Sequence, residues 1–182
     1  MSTSIEQSLH GISIYLIGMM GVGKTTIGKL LAHQLNYRFF DTDVLIERVT
    51  QQSIPEIFAE SGEDNFRELE HQVLQEISVE TKSVIATGGG IVERQINWSY
   101  LQQGLIIWLD VEVEVLKQRL AEDQNRPLAD KLELLLQKRS SLYAQADLRL
   151  KIAANQTPEA IVEQILELIP TVIKSESEFS HS

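Results

Sequence analysis

A glycine-rich octapeptide ending in lysine and threonine, Gly18 to Thr25 (GMMGVGKT), is the part of this sequence best suited to hold phosphate. It fits the pattern G-x-x-x-x-G-K-[ST] at every fixed position. Glycines at this spacing let successive backbone N–H groups turn inward around a phosphate, and a helix starting near Lys24 adds the positive end of its dipole. Lys24 would neutralise the β and γ phosphates of a nucleotide, and the Thr25 hydroxyl would ligate Mg2+. Gly21, Val22, Gly23, Lys24, Thr25 and Thr26 are therefore the nucleotide-binding candidates.

Other groups could supply the rest of a transfer reaction. Asp41 and Asp43 flank Thr42, and at the end of an extended strand two carboxylates at this spacing point to one side, toward the phosphate loop. One could hold Mg2+ through water while the other accepts a proton from an acceptor hydroxyl; alternatively, both cap the helix running on through Val44, Ile46 and Val49. Arg67 lies three residues before Glu70, so the two share a helical face, either as a carboxylate-locked guanidinium aimed at an acid or as a solvated surface pair. Gly88, Gly89 and Gly90 follow an apolar run and would let a ligand approach the backbone closely. Asp110 ends the run LIIWLD, where either a Walker B role or a helix cap is open; the helix expected from Val111 favours the cap.

These residues need elements to place them. Gly11 to Ile17 (GISIYLI) is a continuous apolar run with β-branched residues, the pattern of a strand buried on both faces. From Lys24 to Leu35 the apolar residues recur at helical spacing. Further strand-like runs stand at Tyr37 to Phe40, Ser83 to Ala86, Leu105 to Leu109 and Leu148 to Ala153, separated by helix-like segments. That alternation predicts an α/β fold with a parallel sheet, whose ligands bind beyond the carboxyl ends of the strands. Thr157 and Pro158 open a closing helix with an apolar stripe through Ile161, Val162, Ile165, Leu166 and Ile169. One domain is expected over residues 1–173, with a mobile lid near 121–131 and a frayed polar tail at 174–182.

Composition narrows the partners. The chain has 182 residues, with 16 Lys and Arg against 26 Asp and Glu, a formal charge of -10. Such a molecule repels nucleic-acid backbones and anionic lipid surfaces, so neither is the expected partner. Cysteine is absent, which removes disulfides, thiolate metal sites and thiol nucleophiles together. The histidines at 10, 33, 71 and 181 do not pair at metal spacing. No signal-peptide pattern opens the sequence, so a cytoplasmic location is expected, with a monomer as the starting assumption.

Taken together, the motifs GMMGVGKTTIGKLLA, FFDTDVLIE, IFAESGEDNFRELE, ATGGGIV, NRPLA and the R-x-x-L-Y of Arg139 to Tyr143 resemble those of the shikimate kinase family, in order and separation, from about Gly11 to Ile169. The resemblance implies a P-loop NTPase fold of nucleoside-monophosphate-kinase type with a five-stranded parallel sheet. It implies ATP as co-substrate, Mg2+ as cofactor and transfer of the γ-phosphoryl group to the 3-hydroxyl of shikimate, a step of aromatic amino-acid (chorismate) biosynthesis. By motif, Asp43 would bind the acceptor hydroxyls and assist deprotonation, and Asp41 would stand near the metal with Thr25. Arg67 and Arg139 would grip the carboxylate, Glu70 would hold Arg67, and Gly88 to Gly90 would line the pocket. Arg126 of the lid would join Lys24 at the transition state, and Arg119, Gln156 and Pro158 would flank adenine.

Two departures stand out. Where the family commonly has R-P-L-L and R-x-P-L-Y, this sequence has Arg126-Pro127-Leu128-Ala129 and Arg139-Ser140-Ser141-Leu142-Tyr143. Both keep the arginine, so activity is expected to survive. An N-K-x-D guanine motif is absent, which argues against a regulatory GTPase. The rival readings are a kinase for another polyol acid such as gluconate, and a silent relative that only binds nucleotide.

Overall fold

Strand β1 (Ile14–Ile17) is buried along its whole length and forms the centre of one parallel sheet. The computed structural model describes residues 5, 8–121 and 131–177. Strands β2 (Arg38–Asp41), β3 (Ser83–Ala86), β4 (Leu105–Val111) and β5 (Leu148–Ile152) complete the sheet in the order β2-β3-β1-β4-β5. Every neighbouring pair is parallel. Helices intervene as α1 (Lys24–Gln34), α2 (Thr42–Thr50), α3 (Ile54–Ile77), α4 (Gln95–Leu101), α5 (Val113–Ala121), α6 (Leu132–Tyr143) and α7 (Pro158–Ser177), with a 3-10 turn at Ile91–Glu93.

The register explains where the chemistry must gather. Leu16 lies opposite Ala86 and Asp41 opposite Ala86 in the two ladders that share β3. The carboxyl ends of β1, β2 and β3 are therefore level, and the phosphate loop, the aspartates and the glycine triplet emerge side by side. Thr87 fastens this edge by donating its N–H and hydroxyl to Leu16 O at 3.2 and 3.0 Å.

Continuous apolar runs put β1 and β3 wholly inside, since parallel strands need cover on both faces. Each aliphatic side chain so buried stabilises the fold by about 1.5–3 kcal/mol before ordering costs. Helix α1 reaches the sheet at Gly28, where a Cβ would come within 2.6 Å of the Phe39 ring. Helix α3 is two helical pieces joined at Gly62, whose φ of 76° and ψ of 175° leave the helical region. A side chain there would be strained, and the kink starts a fresh helix that carries Arg67 and Glu70.

Some boundaries differ from those the pattern predicts. Gly11 has a φ of 82° and belongs to the turn before β1, so the strand starts at Ile14. The closing helix continues to Ser177 instead of fraying at residue 174, and it carries Pro170 inside it. Its start is as expected, with Thr157 Oγ1 accepting from Ala160 N at 3.3 Å. Asp110 does not cap a helix: β4 runs on to Val111, helix α5 begins at Val113, and Asp110 Oδ2 accepts from Arg149 Nε and Nη2 at 2.9 and 2.7 Å. A strand carboxylate already held by a neighbouring strand's arginine is a poor Walker B ligand.

Candidate functional site

The phosphate loop leaves β1 with positive φ at Gly18, Gly21 and Gly23. Gly18 also abuts β4, since a Cβ there would stand 2.6 Å from Leu109 O. Val22 is buried, and its N–H donates to Met19 O within the loop at 3.4 Å. Lys24 Nζ donates to Gly18 O and Met19 O, both at 2.8 Å, which folds the cation back over the loop. Arg119 of α5 donates Nη1 to Gly21 O at 3.2 Å and Val22 O at 3.4 Å, so the structure brings this adenine-side candidate to the loop. Gln156 is held locally: Oε1 accepts from Ala153 N at 2.8 Å and Nε2 donates to Gln164 at 3.1 Å. Gln156 and Pro158 lie just beyond the carboxyl end of β5, on the sheet edge that carries the loop.

Asp41 does two jobs at once. Its Oδ1 caps α2, accepting from Asp43 N at 3.0 Å and Val44 N at 3.3 Å, while Oδ2 accepts from Thr25 Oγ1 at 2.6 Å. The aspartates do not sit together on a strand, as the spacing suggested, because β2 ends at Asp41 and Asp43 is already helical. A hydroxyl and a carboxylate oxygen in contact beside a phosphate loop are hard donors of the kind Mg2+ takes. The donor set therefore fits that ion. Thr42 is fully buried and its Oγ1 accepts from Gly88 N at 2.9 Å, tying the aspartate turn to the glycine triplet.

Arg67 Nη1 donates to Glu70 Oε2 at 2.5 Å and Nη2 to Glu63 Oε1 at 3.1 Å. This is no solvated surface pair, because the Arg67 and Glu70 side chains are only 13% and 1% exposed. Burial works against the Arg67 cation, but Glu70, Glu93 and Glu63 together raise its pKa. Glu70 Oε1 is buried without a hydrogen-bond partner among the described residues. Burial first, and then the charge of Asp43, push the Glu70 carboxyl up to about 7 against the pull of Arg67 and Arg139.

The glycines explain how these groups come so close. A Cβ on Gly88 would overlap Glu70 Oε1 and stand 3.0 Å from Asp43 Oδ1; one on Gly90 would overlap the Arg67 guanidinium. Arg139 of α6 is buried, and its Nη1 lies 3.4 Å from where a Gly89 Cβ would be. Tyr143, one helical turn on, is fully buried and donates its hydroxyl to Gly89 O at 2.5 Å. Burial raises its pKa, so it remains a donor.

The structure thus gathers Lys24, Thr25, Asp41, Asp43, Arg67, Glu70, Gly88 to Gly90, Arg119 and Arg139 along one sheet edge. Arg126 and the central part of the expected lid lie outside the described residues. Sequence reasoning missed Thr42, Glu93 and Tyr143 as parts of the site. Tyr143 had a signal in its four-residue spacing from Arg139, whereas Thr42 and Glu93 act through contacts that no local pattern announces. The described histidines take no part in a metal cluster: His71 Nδ1 pairs with Asn97 Oδ1 at 2.8 Å, and no group of three or more metal-ligating side chains occurs among the described residues. No helix of the described residues is long and apolar enough to cross a membrane.

Comparison with known proteins gives this arrangement a lineage. A family model described as "Shikimate kinase" matches residues 20–170. A shikimate kinase of Rippkaea orientalis is 59% identical over 179 residues, covering 95% of this chain and 96% of its own. The solved shikimate kinase of Acinetobacter baumannii in complex with shikimate superposes with a TM-score of 0.83 at 39% identity, covering 94% of this chain and 98% of that one. A gluconokinase from Sinorhizobium meliloti reaches a TM-score of 0.62 at 16% identity over 94% of this chain and 98% of its own, a likeness of fold alone. With the family model spanning most of the chain and a relative this similar along nearly its full length, this protein belongs to the shikimate kinase family, whose members are ATP-dependent phosphotransferases.

Proposed function

We propose that the chain transfers the γ-phosphoryl group of ATP to the 3-hydroxyl of shikimate, a step toward chorismate and the aromatic amino acids. The observation that carries this reading is one juxtaposition: the phosphate loop, buried Arg139 and largely buried Arg67 meet at one glycine triplet, with Asp43 beside Gly88. An acceptor with a carboxylate at one end and a hydroxyl at the other suits that spacing of charges. The shikimate bound in the Acinetobacter protein supports the choice of acceptor.

In the transfer, Lys24 exchanges its loop carbonyls for the β and γ phosphates, and the N–H groups of Gly21 to Thr26 receive the remaining oxygens. Thr25 and Asp41 would hold Mg2+, which would supply positive charge to offset that of the phosphate oxygens. Asp43 orients the acceptor hydroxyl and takes its proton as the oxygen attacks the γ-phosphorus, releasing ADP. Arg67 and Arg139 fix the carboxylate, so that the hydroxyl lies in line. Arg126, outside the described residues, would add its charge to that of Lys24 around the transferring phosphoryl group. Arg119, Gln156 and Pro158 border adenine.

The protein works as one domain over 1–173 and as a monomer in the cytoplasm, without nucleic-acid or membrane partners. A coupled assay with ATP and Mg2+ against shikimate and gluconate tests the reading. Turnover with shikimate is expected; preference for gluconate, or no uptake of shikimate by calorimetry, overturns it.

A further inference from the structure

Glu93 closes the 3-10 turn that follows the glycine triplet, and its backbone has little freedom. Ile91 and Val92 are buried in the core, their carbonyls accept from Asn97 Nδ2 at 2.8 Å and Trp98 Nε1 at 3.1 Å, and Glu93 N donates to Gly90 O at 3.0 Å. From this fixed point the side chain, only 13% exposed, reaches both acceptor arginines. Its Oε1 accepts from Arg139 Nε at 2.7 Å and Nη2 at 2.6 Å, and lies 3.9 Å from Arg67 Nη2. Lys138, next to Arg139 on α6, pairs with the other oxygen, Oε2.

We infer that Glu93 is the positioning residue of the carboxylate clamp, holding Arg139 by its Nε edge so that Nη1 stays turned toward Gly89 and the acceptor. This rests on the reading of Arg67 and Arg139 as ligands of the acceptor's carboxylate. A guanidinium has a planar fork of five N–H donors, and fixing one edge orients the other. Nη1 faces the space beside Gly89 that Gly18 O and Met20 N also border, each 3.5 Å from where a Gly89 Cβ would stand. Without Glu93, the Nε proton of a buried arginine would lose its acceptor, and the fork would turn to find another.

A carboxylate beside a carboxylate-binding pocket would by itself repel the ligand. Lys138 answers this by neutralising Glu93 from the outer side, where it is 63% exposed, so the clamp keeps its positive charge. Glu93 thus orients Arg139 without cancelling it. The arrangement crosses three elements, α3, the turn and α6, and sets the geometry before any ligand arrives.

The test uses the full chain with E93A and E93Q, each compared with wild type in steady-state kinetics and in Nε–H proton–nitrogen spectra of the ligand-free protein, with R139K identifying the Arg139 signal. E93A should raise the KM for shikimate about tenfold, with kcat within about twofold and the KM for ATP unchanged. E93Q keeps an oxygen for Nε and should fall between, which preserves the test should E93A fail to fold. A separate Arg139 Nε–H signal is expected in wild type and E93Q, merging with exposed arginines in E93A. An unchanged KM for shikimate overturns the inference, and a lowered one shows that Glu93 occupies the acceptor's place instead. Absence of a distinct Arg139 signal in wild type, or its persistence in E93A, also overturns it. Failure of wild type to phosphorylate shikimate would refute the proposed function, while the substrate-free spectra would still decide the role of Glu93.

Discussion

Glu70 and Asp43, from two different helices, converge on Gly88, whose missing side chain leaves room for both carboxylates. Adding one methyl group there would overlap Glu70 Oε1 and crowd Asp43. The glutamate cannot swing away cheaply, because it is buried and bonded to Arg67. Gly88→Ala should therefore lower Tm by several degrees and raise the KM for shikimate by at least about tenfold, since overpacking costs about 1–3 kcal/mol. Thermal melts and steady-state kinetics check both, and an unaffected variant would mean that the two carboxylates do not meet as described.

Burial of Glu70, with the charge of Asp43 adding to it, sets a pH dependence. The folded pKa of Glu70, about 7, lies above its ordinary value of 4.5. Stability from this group is complete below the ordinary value and is lost as pH rises through 7, a change of roughly 3 kcal/mol. Glu70→Gln removes the ionisation, so its Tm relative to wild type should climb between pH 5 and about 8. A constant difference across that range would place the titration elsewhere.

In the proposed mechanism, Arg67 and Lys24 separate binding from chemistry. Arg67→Ala removes the guanidinium proposed to grip the carboxylate and should raise the KM for shikimate about 100-fold, with a smaller effect on the KM for ATP. It also strips Glu70 of its cation, so a fall in Tm is expected beside the kinetic change. Lys24→Ala should instead reduce kcat by at least about 100-fold, because the charge it neutralises grows in the transition state. Equal effects on KM and kcat in the two variants would contradict this division.

Asp41 offers a way to part a structural role from a metal role. Asp41→Asn keeps an oxygen for the α2 cap but loses the negative charge beside Thr25, so stability should change little while the Mg2+ concentration for half-maximal rate rises. Asp41→Ala loses the cap as well and should cost about 1 kcal/mol in denaturant titrations. An unchanged Mg2+ requirement in both would remove Asp41 from the metal site.

Asp110 should be dispensable. Its carboxylate pairs with Arg149, which also lies over the Trp108 ring at 4.3 Å. Asp110→Asn is expected to keep kcat within about twofold and to change stability by less than about 1 kcal/mol, as an exposed pair contributes little. Loss of turnover would restore the Walker B reading.

The sequence by itself determined the sheet, the phosphate loop and the family, because those depend on local rules: apolar runs become buried strands, and glycines at fixed spacing turn a backbone around a phosphate. It also named Arg67, Glu70 and Arg139 through motif order. It misjudged Asp110, since the end of β4 was decided by pairing with β5, where Asp110 lies opposite Lys151, and not by the residues that follow it. Only the tertiary structure could decide that Asp41 serves as cap and Thr25 partner together, that Thr42 anchors Gly88, and that Glu93 joins two arginines from separate helices. Apart from the local Asp41 cap, those relations span 16 to 46 residues of chain, and no pattern along the chain encodes a distance that folding alone brings to a few ångströms.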